Sequence, residues 1–207
     1  GLGTDDFTEV VNPTVGYYVD EVFIGAPVGM TIGLLDLERI EVLKGPQGTL
    51  YGRNTTAGAI NFISRKPGDT FSANGKAGFG NFDAYEIEAA ADIPLSENLK
   101  SRIAVKSYSR DGTTKNRKWE DTLNNEVYQQ GRAQLLWTPT ENLSALFILE
   151  AYFNQSDGLV SQQIGFQPAG ATADVLGYRD TDGDNYAGEY TRRGGDDTDA
   201  YSATIKL

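Results

Sequence analysis

Neither cysteine nor histidine occurs among the 207 residues, and these two absences exclude more chemistry than any residue that is present. Without cysteine there is no disulfide, no thiolate nucleophile and no Cys-ligated zinc, iron–sulfur or c-type haem site. Without histidine there is no Ser-His-Asp triad, no His-ligated metal and no imidazole base. Positive charge is also scarce: 18 Lys and Arg against 29 Asp and Glu leave a net charge of -11. Binding along a phosphate backbone depends on cations that release counterions, so nucleic acid is not an expected partner. Long apolar runs are missing too, and none approaches the ~18 residues of a spanning helix. A membrane is not thereby excluded, because a barrel strand crosses with about 10 residues of alternating polarity.

The chain changes texture near Lys66-Pro67-Gly68. Before that point short apolar runs lie close together with glycines between them, at 19–24, 40–43 and 59–63. This predicts a small mixed α+β unit of short strands, with helical turns at 34–38 and 47–51, the latter entered through Pro46 and left through Gly52. After Gly68 the period becomes two. Phe71, Ala73, Ala77 and Phe79 alternate with polar or small residues, as do Tyr85, Ile87, Ala89 and Ile93, then Ile103 and Val105, then Ala133, Leu135 and Trp137, then Phe147, Leu149 and Phe153, then Tyr201, Ala203 and Ile205. About six strands are expected, each long enough to cross a bilayer when tilted. The connections alternate in length: tight turns at 94–100 and 138–142, a longer loop at 111–125 and a very long one at 155–199. Sorting loop lengths by side is a habit of outer-membrane barrels. The expected fold class is therefore a mixed α+β partial domain followed by mainly antiparallel transmembrane β-barrel strands, forming an incomplete barrel with an open sheet. Both chain ends read as cuts within a larger protein.

The blocks Tyr18-Val19-Asp20-Glu21-Val22-Phe23-Ile24, Leu37-Glu38-Arg39-Ile40-Glu41-Val42-Leu43-Lys44-Gly45-Pro46, Leu50-Tyr51-Gly52 and Gly58-Ala59-Ile60-Asn61-Phe62-Ile63-Ser64-Arg65-Lys66-Pro67 occur in this order. In order and spacing they resemble the C-terminal half of the plug domain of TonB-dependent outer-membrane receptors. Two departures stand out: Lys44 where the family usually has Arg, and Glu21 where Gly usually follows Asp. The resemblance implies a division into 1–67, the C-terminal part of a plug, and 68–207, the first strands of a transmembrane β-barrel, with 155–199 as an extracellular loop. It further implies energised uptake of a scarce bulky nutrient, foremost a ferric siderophore, with cobalamin, haem or an oligosaccharide as alternatives. The implied partners are outer-membrane lipid, the TonB energy-coupling protein through a segment missing from this chain, and the cargo. The implied location is the outer membrane of a Gram-negative bacterium. No cofactor, no metal and no catalytic residue is expected.

For ligand contact the resemblance points to the plug apex, matched here by Asn12, Pro13 and Thr14 and by Pro27, Val28, Met30 and Thr31. For pairing between plug and barrel, the cations Arg39, Lys44, Arg53 and Arg65 face an expected row of wall carboxylates, Glu86, Glu88 and Glu150. Buried pairs of this kind are poor stabilisers but can fix register or give a releasable contact. Rival functions are a passive porin-type channel, which has no plug, and a soluble β-sheet binding module, which has no need of sorted loops. An enzyme is not supported: Glu86 and Glu88 lie about 7 Å apart on one strand face, a coincidence that any acidic β protein offers. The acidic run 180–185 departs from a calcium loop, with Asn185 at the sixth position and Thr191 at the twelfth.

Overall fold

A computed structural model describes residues 14–25, 34–52, 54–157, 187–188 and 195–207. Two sheets carry most of it. The smaller is four-stranded, in the order β2-β1-β4-β3, formed by β1 (Val15–Val19), β2 (Val22–Ile24), β3 (Leu37–Lys44) and β4 (Gly58–Ser64). β1 pairs antiparallel with β2 and parallel with β4, and β4 pairs antiparallel with β3. One helical turn, α1 (Gly48–Tyr51), follows β3 and ends at Gly52, whose φ of 76° is the left-handed conformation that glycine adopts without a Cβ penalty. Gly58 opens β4 where a Cβ would stand 2.5 Å from the Leu43 carbonyl oxygen, so only glycine allows β3 and β4 to approach there.

Two local expectations are corrected. The run 19–24 is a hairpin instead of one strand: Asp20 and Glu21 both have positive φ, 49° and 70°, and reverse the chain between β1 and β2. Such a turn favours glycine, so Glu21 stands there against its steric preference. The helical turn expected over 34–38 is absent. Asp36 also has positive φ, 48°, which stops any right-handed helix, and β3 begins at the next residue. The turn at 47–51 forms as α1.

The larger sheet has six antiparallel strands in the order β13-β11-β10-β7-β6-β5. They are β5 (Ser72–Gly80), β6 (Ala84–Ser96), β7 (Leu99–Arg110), β10 (Glu126–Thr140), β11 (Leu143–Ser156) and β13 (Asp196–Lys206). Its neighbours are consecutive along the chain apart from a small third sheet, in which β8 (Thr114–Asn116) and β9 (Asp121–Leu123) form a hairpin over the β7–β10 connection and β12 (Ala187–Gly188) adds to β8. The two tight turns are shorter than the sequence suggests. β6 runs through Pro94 to Ser96 and β10 through Pro139 to Thr140, each with a shift of register near its proline. Proline lacks the ladder donor, and a local irregularity is how a strand accommodates it. β5 and β13 are the open edges of this sheet.

The two faces of the large sheet invert the pattern of a water-soluble domain. One face exposes Ile87, Ile103, Val105, Trp137, Phe147, Leu149, Phe153, Tyr201 and Ile205. The other buries Asp92, Arg102, Gln130, Arg132, Gln134 and Asn154. Against that polar face lies the small sheet.

Candidate functional site

The seam between the sheets is built where three strand ends of the small sheet meet the wall formed by β7, β10, β11 and β13. Its centre is Arg102 on β7, 2% exposed. Its Nε donates to Asp36 Oδ2 at 2.6 Å and its Nη2 to Asp36 Oδ1 at 2.7 Å, a two-pronged grip on one carboxylate. Its Nη1 donates to Asp92 Oδ2 at 2.7 Å. Asp92 also accepts from Ser72 Oγ at 2.7 Å and from the Gly68 amide at 3.0 Å. A single guanidinium thus ties the loop before β3, the wall, and the segment that leads from the small sheet into β5.

Arg132, one strand over, donates through Nη1 to the Leu35 carbonyl and through Nε to Glu150, both at 2.5 Å. Leu35 is fully buried, against Ala90 and Ala104 of the wall. Two residues along β10, Gln134 Nε2 donates to Ser64 Oγ at 3.0 Å, and that hydroxyl donates in turn to Asp20 Oδ2 at 2.6 Å. Asp20 also accepts from the Ser64 amide, so the hairpin turn is fastened to the end of β4. At the far end of the seam Lys206 of β13 meets Glu21 at 3.1 Å, with the glutamate side chain 73% exposed. Between hairpin and wall there remains an 80 Å³ crevice lined by Val19, Asp20, Val22, Ile24, Ile148, Glu150, Ser202 and Thr204.

The two ends of the seam differ in energy. Removing one partner from a buried charge pair strands the other and costs about 3–5 kcal/mol. An exposed pair such as Glu21 with Lys206 contributes about 0–1 kcal/mol.

The charges run opposite to the sequence expectation. At the seam the small sheet supplies carboxylates and carbonyls, and the wall supplies Arg102, Arg132 and Lys206. Arg39 pairs with Glu38 and Glu41, its neighbours on β3, and the Glu41 hydrogen bond raises the guanidinium pKa further. Lys44 and Arg65 are exposed; the Arg65 amide donates to the Asp36 carbonyl. Glu86 and Glu88 pair with Lys76 across the strands, Glu86 also with Lys106, and Glu150 pairs with Arg132. The wall carboxylates are therefore held by wall cations. Arg53, Asn12, Pro13, Pro27, Val28, Met30 and Thr31 lie outside the described residues, as does the run 180–185. Thr14 is described and accepts from the Ala57 amide at 2.9 Å. Sequence reasoning missed Asp36, Arg102, Arg132 and Gln134. The signal available for the last three was a cation or amide on the polar face of strands whose other face is apolar; for Asp36, a carboxylate in a loop, the sequence offered none.

Within the small sheet Tyr18, 4% exposed, donates its hydroxyl to the Tyr51 carbonyl at 2.7 Å and packs edge-on against the Tyr51 ring. Burial raises the Tyr18 phenol pKa. Toward the β8–β9 end the wall carries a row of three tyrosines, Tyr108, Tyr128 and Tyr152, with ring centroids 5.2 and 5.8 Å apart.

Residues 1–59 match the family model of the TonB-dependent Receptor Plug Domain. The pesticin receptor of Yersinia pestis is 32% identical over 100 residues, which cover 47% of this chain and 14% of that protein. The ferripyoverdine receptor of Pseudomonas aeruginosa is 35% identical over 88 residues, covering 41% of this chain and 11% of that protein. Among solved structures, the ferric yersiniabactin uptake receptor from Yersinia pestis superposes with a TM-score of 0.61 at 26% identity, over 70% of this chain and 23% of that one. A pyoverdine outer membrane receptor from Pseudomonas aeruginosa shares the fold with a TM-score of 0.57 at 20% identity, over 70% of this chain and 21% of that one. The chain thus spans a small part of the length of the proteins it matches.

Proposed function

We propose, from the premise that the chain is a TonB-dependent receptor fragment with a plug domain at residues 1–59 followed by β-strands, that the whole protein takes up a ferric siderophore. TonB-dependent receptors are transporters, not enzymes, and they are outer-membrane proteins. On this reading plug-derived structure extends through residue 67 and the barrel wall begins at 68, with the apolar face of the large sheet toward lipid and its polar face toward the plug. The apex residues Asn12, Pro13, Thr14, Pro27, Val28, Met30 and Thr31 contact the cargo, and TonB is the energy-coupling partner.

The observation that carries the reading is the inverted sheet: a wall that hides Arg102, Arg132 and Gln134 behind the plug while exposing Phe147 and Leu149. Polar groups inside and apolar groups outside suit a barrel in lipid with its lumen filled. The siderophore class is supported by the named cargoes of the matched receptors.

The test uses the full-length receptor in a Gram-negative host deleted for its own siderophore receptors. Radiolabelled iron is supplied as ferric yersiniabactin, ferric pyoverdine or ferric enterobactin. At least one should accumulate, and deletion of the host TonB should abolish the accumulation. Accumulation that persists without TonB would instead identify a passive channel.

A further inference from the structure

The apolar face of the large sheet is not evenly apolar, and we propose that it carries a groove for one acylated sugar of the outer leaflet, its acyl chain on Gly131 and its head on Gln129, Ser107 and Ser109. Residues directly opposite each other on paired strands share a face. Val105, Gly131 and Ala151 make one such row, and Ile103, Ala133 and Leu149 the next. Gly131, Ala133 and Ala151 form the floor of a groove of about 650 Å³, between rims at Val105 and Leu149. β7, β10 and β11 each have a paired strand on both sides, so neither open edge of the sheet creates this floor.

Gly131 sits inside the 15-residue strand β10. Its φ is not left-handed, the register runs unbroken through it on both sides, and a Cβ there would meet no described atom within 4 Å. Turn, bulge and crowding by the described residues are thus excluded as reasons for a glycine, which weakens a strand interior. The reason left is close approach of something from outside the sheet. On the reading above that this face meets lipid, what approaches is an acyl chain.

The next rows along the strands specify the head. Ser107 and Gln129 are direct partners, between Ile87 on β6 and Phe153 on β11, and Ser109 lies opposite Tyr85. The apolar alternation therefore continues through Ile87 and Phe153 on the flanking strands but stops at Val105 and Gly131 on the middle two. A hydroxyl or amide left in hydrocarbon without a partner costs about 2–7 kcal/mol, so these side chains, with Gln129 exposed, need donors and acceptors at that depth. They offer hydroxyls and an amide and no charge, which matches sugar hydroxyls and amide-linked acyl chains. They lie toward the β7–β10 connection and away from the tight turns. On the same reading that is the outer side, where the leaflet of a Gram-negative outer membrane is built of acylated sugar.

Full-length receptor, stripped of lipid in an octyl ether detergent, is mixed with lipid A, an acylated disaccharide, or with phosphatidylethanolamine, and weighed intact by native mass spectrometry. The parent should hold a single lipid A, at least about tenfold more tightly than phosphatidylethanolamine. Gly131→Leu, which fills the groove, should weaken that retention about tenfold or more without lowering the unfolding midpoint, and Gln129→Leu should erase the preference between the two lipids. Ala89→Leu, exposed on the same face but outside the groove, should change neither. If Gly131→Leu fails to fold, Ala151→Leu on the groove floor serves with the same expectation. Lipid A held equally by the parent and Gly131→Leu, or by neither, would overturn the site, and equal retention of both lipids by the parent would overturn the assigned head. A doubled mass lost on Gly131→Leu would make this face a contact between two copies and overturn the lipid site as well. The site rests on the lipid-facing reading of the sheet but not on uptake, so a failure to accumulate any chelate in the preceding experiment leaves this measurement intact.

Discussion

The two sheets solve opposite problems with similar residues. The small sheet buries Tyr18, Val19, Ala59, Phe62 and Ile63, as a domain in water does. The large sheet buries Asp92, Arg102, Arg132 and Gln134 and leaves Leu149 61% exposed. What distinguishes them is which face carries the apolar groups. Where the far side is water, the hydrophobic effect pulls apolar groups toward the contact between sheets. On the outer-membrane reading the far side of the large sheet is hydrocarbon, which pulls nothing inward, and polar groups at the contact must satisfy one another. Charge and hydrogen bonds hold the centre of the seam, with Leu35 packed on Ala90 and Ala104 beside them and Ile148 buried on β11.

The largest expected effect would break the seam at its centre. Arg102→Met in the full-length receptor removes the guanidinium and leaves Asp36 and Asp92 buried without their cation, at a cost of about 3–5 kcal/mol. It should be read as a lowered unfolding midpoint of detergent-solubilised receptor. A change below about 1 kcal/mol would mean that water reaches these carboxylates and that the seam is a wet surface contact.

Next in size is the apolar face. On the outer-membrane reading Phe147→Arg, toward mid-membrane, should cost about 2–4 kcal/mol, while Trp137→Arg, nearer the periplasmic interface, should cost much less. Folding equilibria of the whole barrel in lipid vesicles measure both. Equal costs would show that this face does not meet a graded hydrocarbon environment, and the contrast between the sheets would lose its physical basis.

How far the sequence reveals this arrangement depends on which force is at work. Period-two alternation marked β5, β6, β7, β10, β11 and β13, because the pleat writes its two faces directly into the residue order. The blocks at 18–24, 37–46 and 58–67 fall on the four strands of the small sheet. The hairpin turn and the loop before β3 were misread for one reason: Asp20, Glu21 and Asp36 take positive φ in a tertiary setting that composition does not announce. Asp36 follows two leucines and precedes a third, a pattern that suits a helical turn until Arg102 and the Arg65 amide hold its carboxylate and carbonyl. Charge partners were the least legible. Arg39 has carboxylates beside it on its own strand, and Glu86 has lysines on the adjoining ones, so each is satisfied locally before any long-range partner is available. The side chains left to join the sheets, Asp36 and Arg102, are 66 residues apart, and only the docked structure shows that their strand ends meet.

A smaller effect tests the conventional side of the comparison. Tyr18→Phe keeps the ring against Tyr51 and deletes only the hydroxyl that satisfies the Tyr51 carbonyl. The loss should be about 1 kcal/mol, seen as a modest drop in plug stability with the wall unaffected. If the drop instead matched that of Arg102→Met, the small sheet would depend on polar contacts as much as the wall does.

The smallest effect is expected at Glu21, where one gain opposes two losses. Glu21→Gly places at φ 70° the residue that suits it and relieves a left-handed conformation costing a non-glycine residue about 1–2 kcal/mol. The same change deletes the exposed pair with Lys206, a contribution of about 0–1 kcal/mol, and adds chain entropy to the unfolded state, which removes about 0.4–1 kcal/mol of the gain. The terms nearly cancel, so stability should stay within about 1 kcal/mol of the parent. Lys206→Ala isolates the pair, since it leaves the turn untouched, and should itself cost under about 1 kcal/mol. Unfolding midpoints of the two variants in the same detergent separate turn strain from wall contact. A large loss from Lys206→Ala would show that the contact at β13 is held as firmly as the one at Arg102.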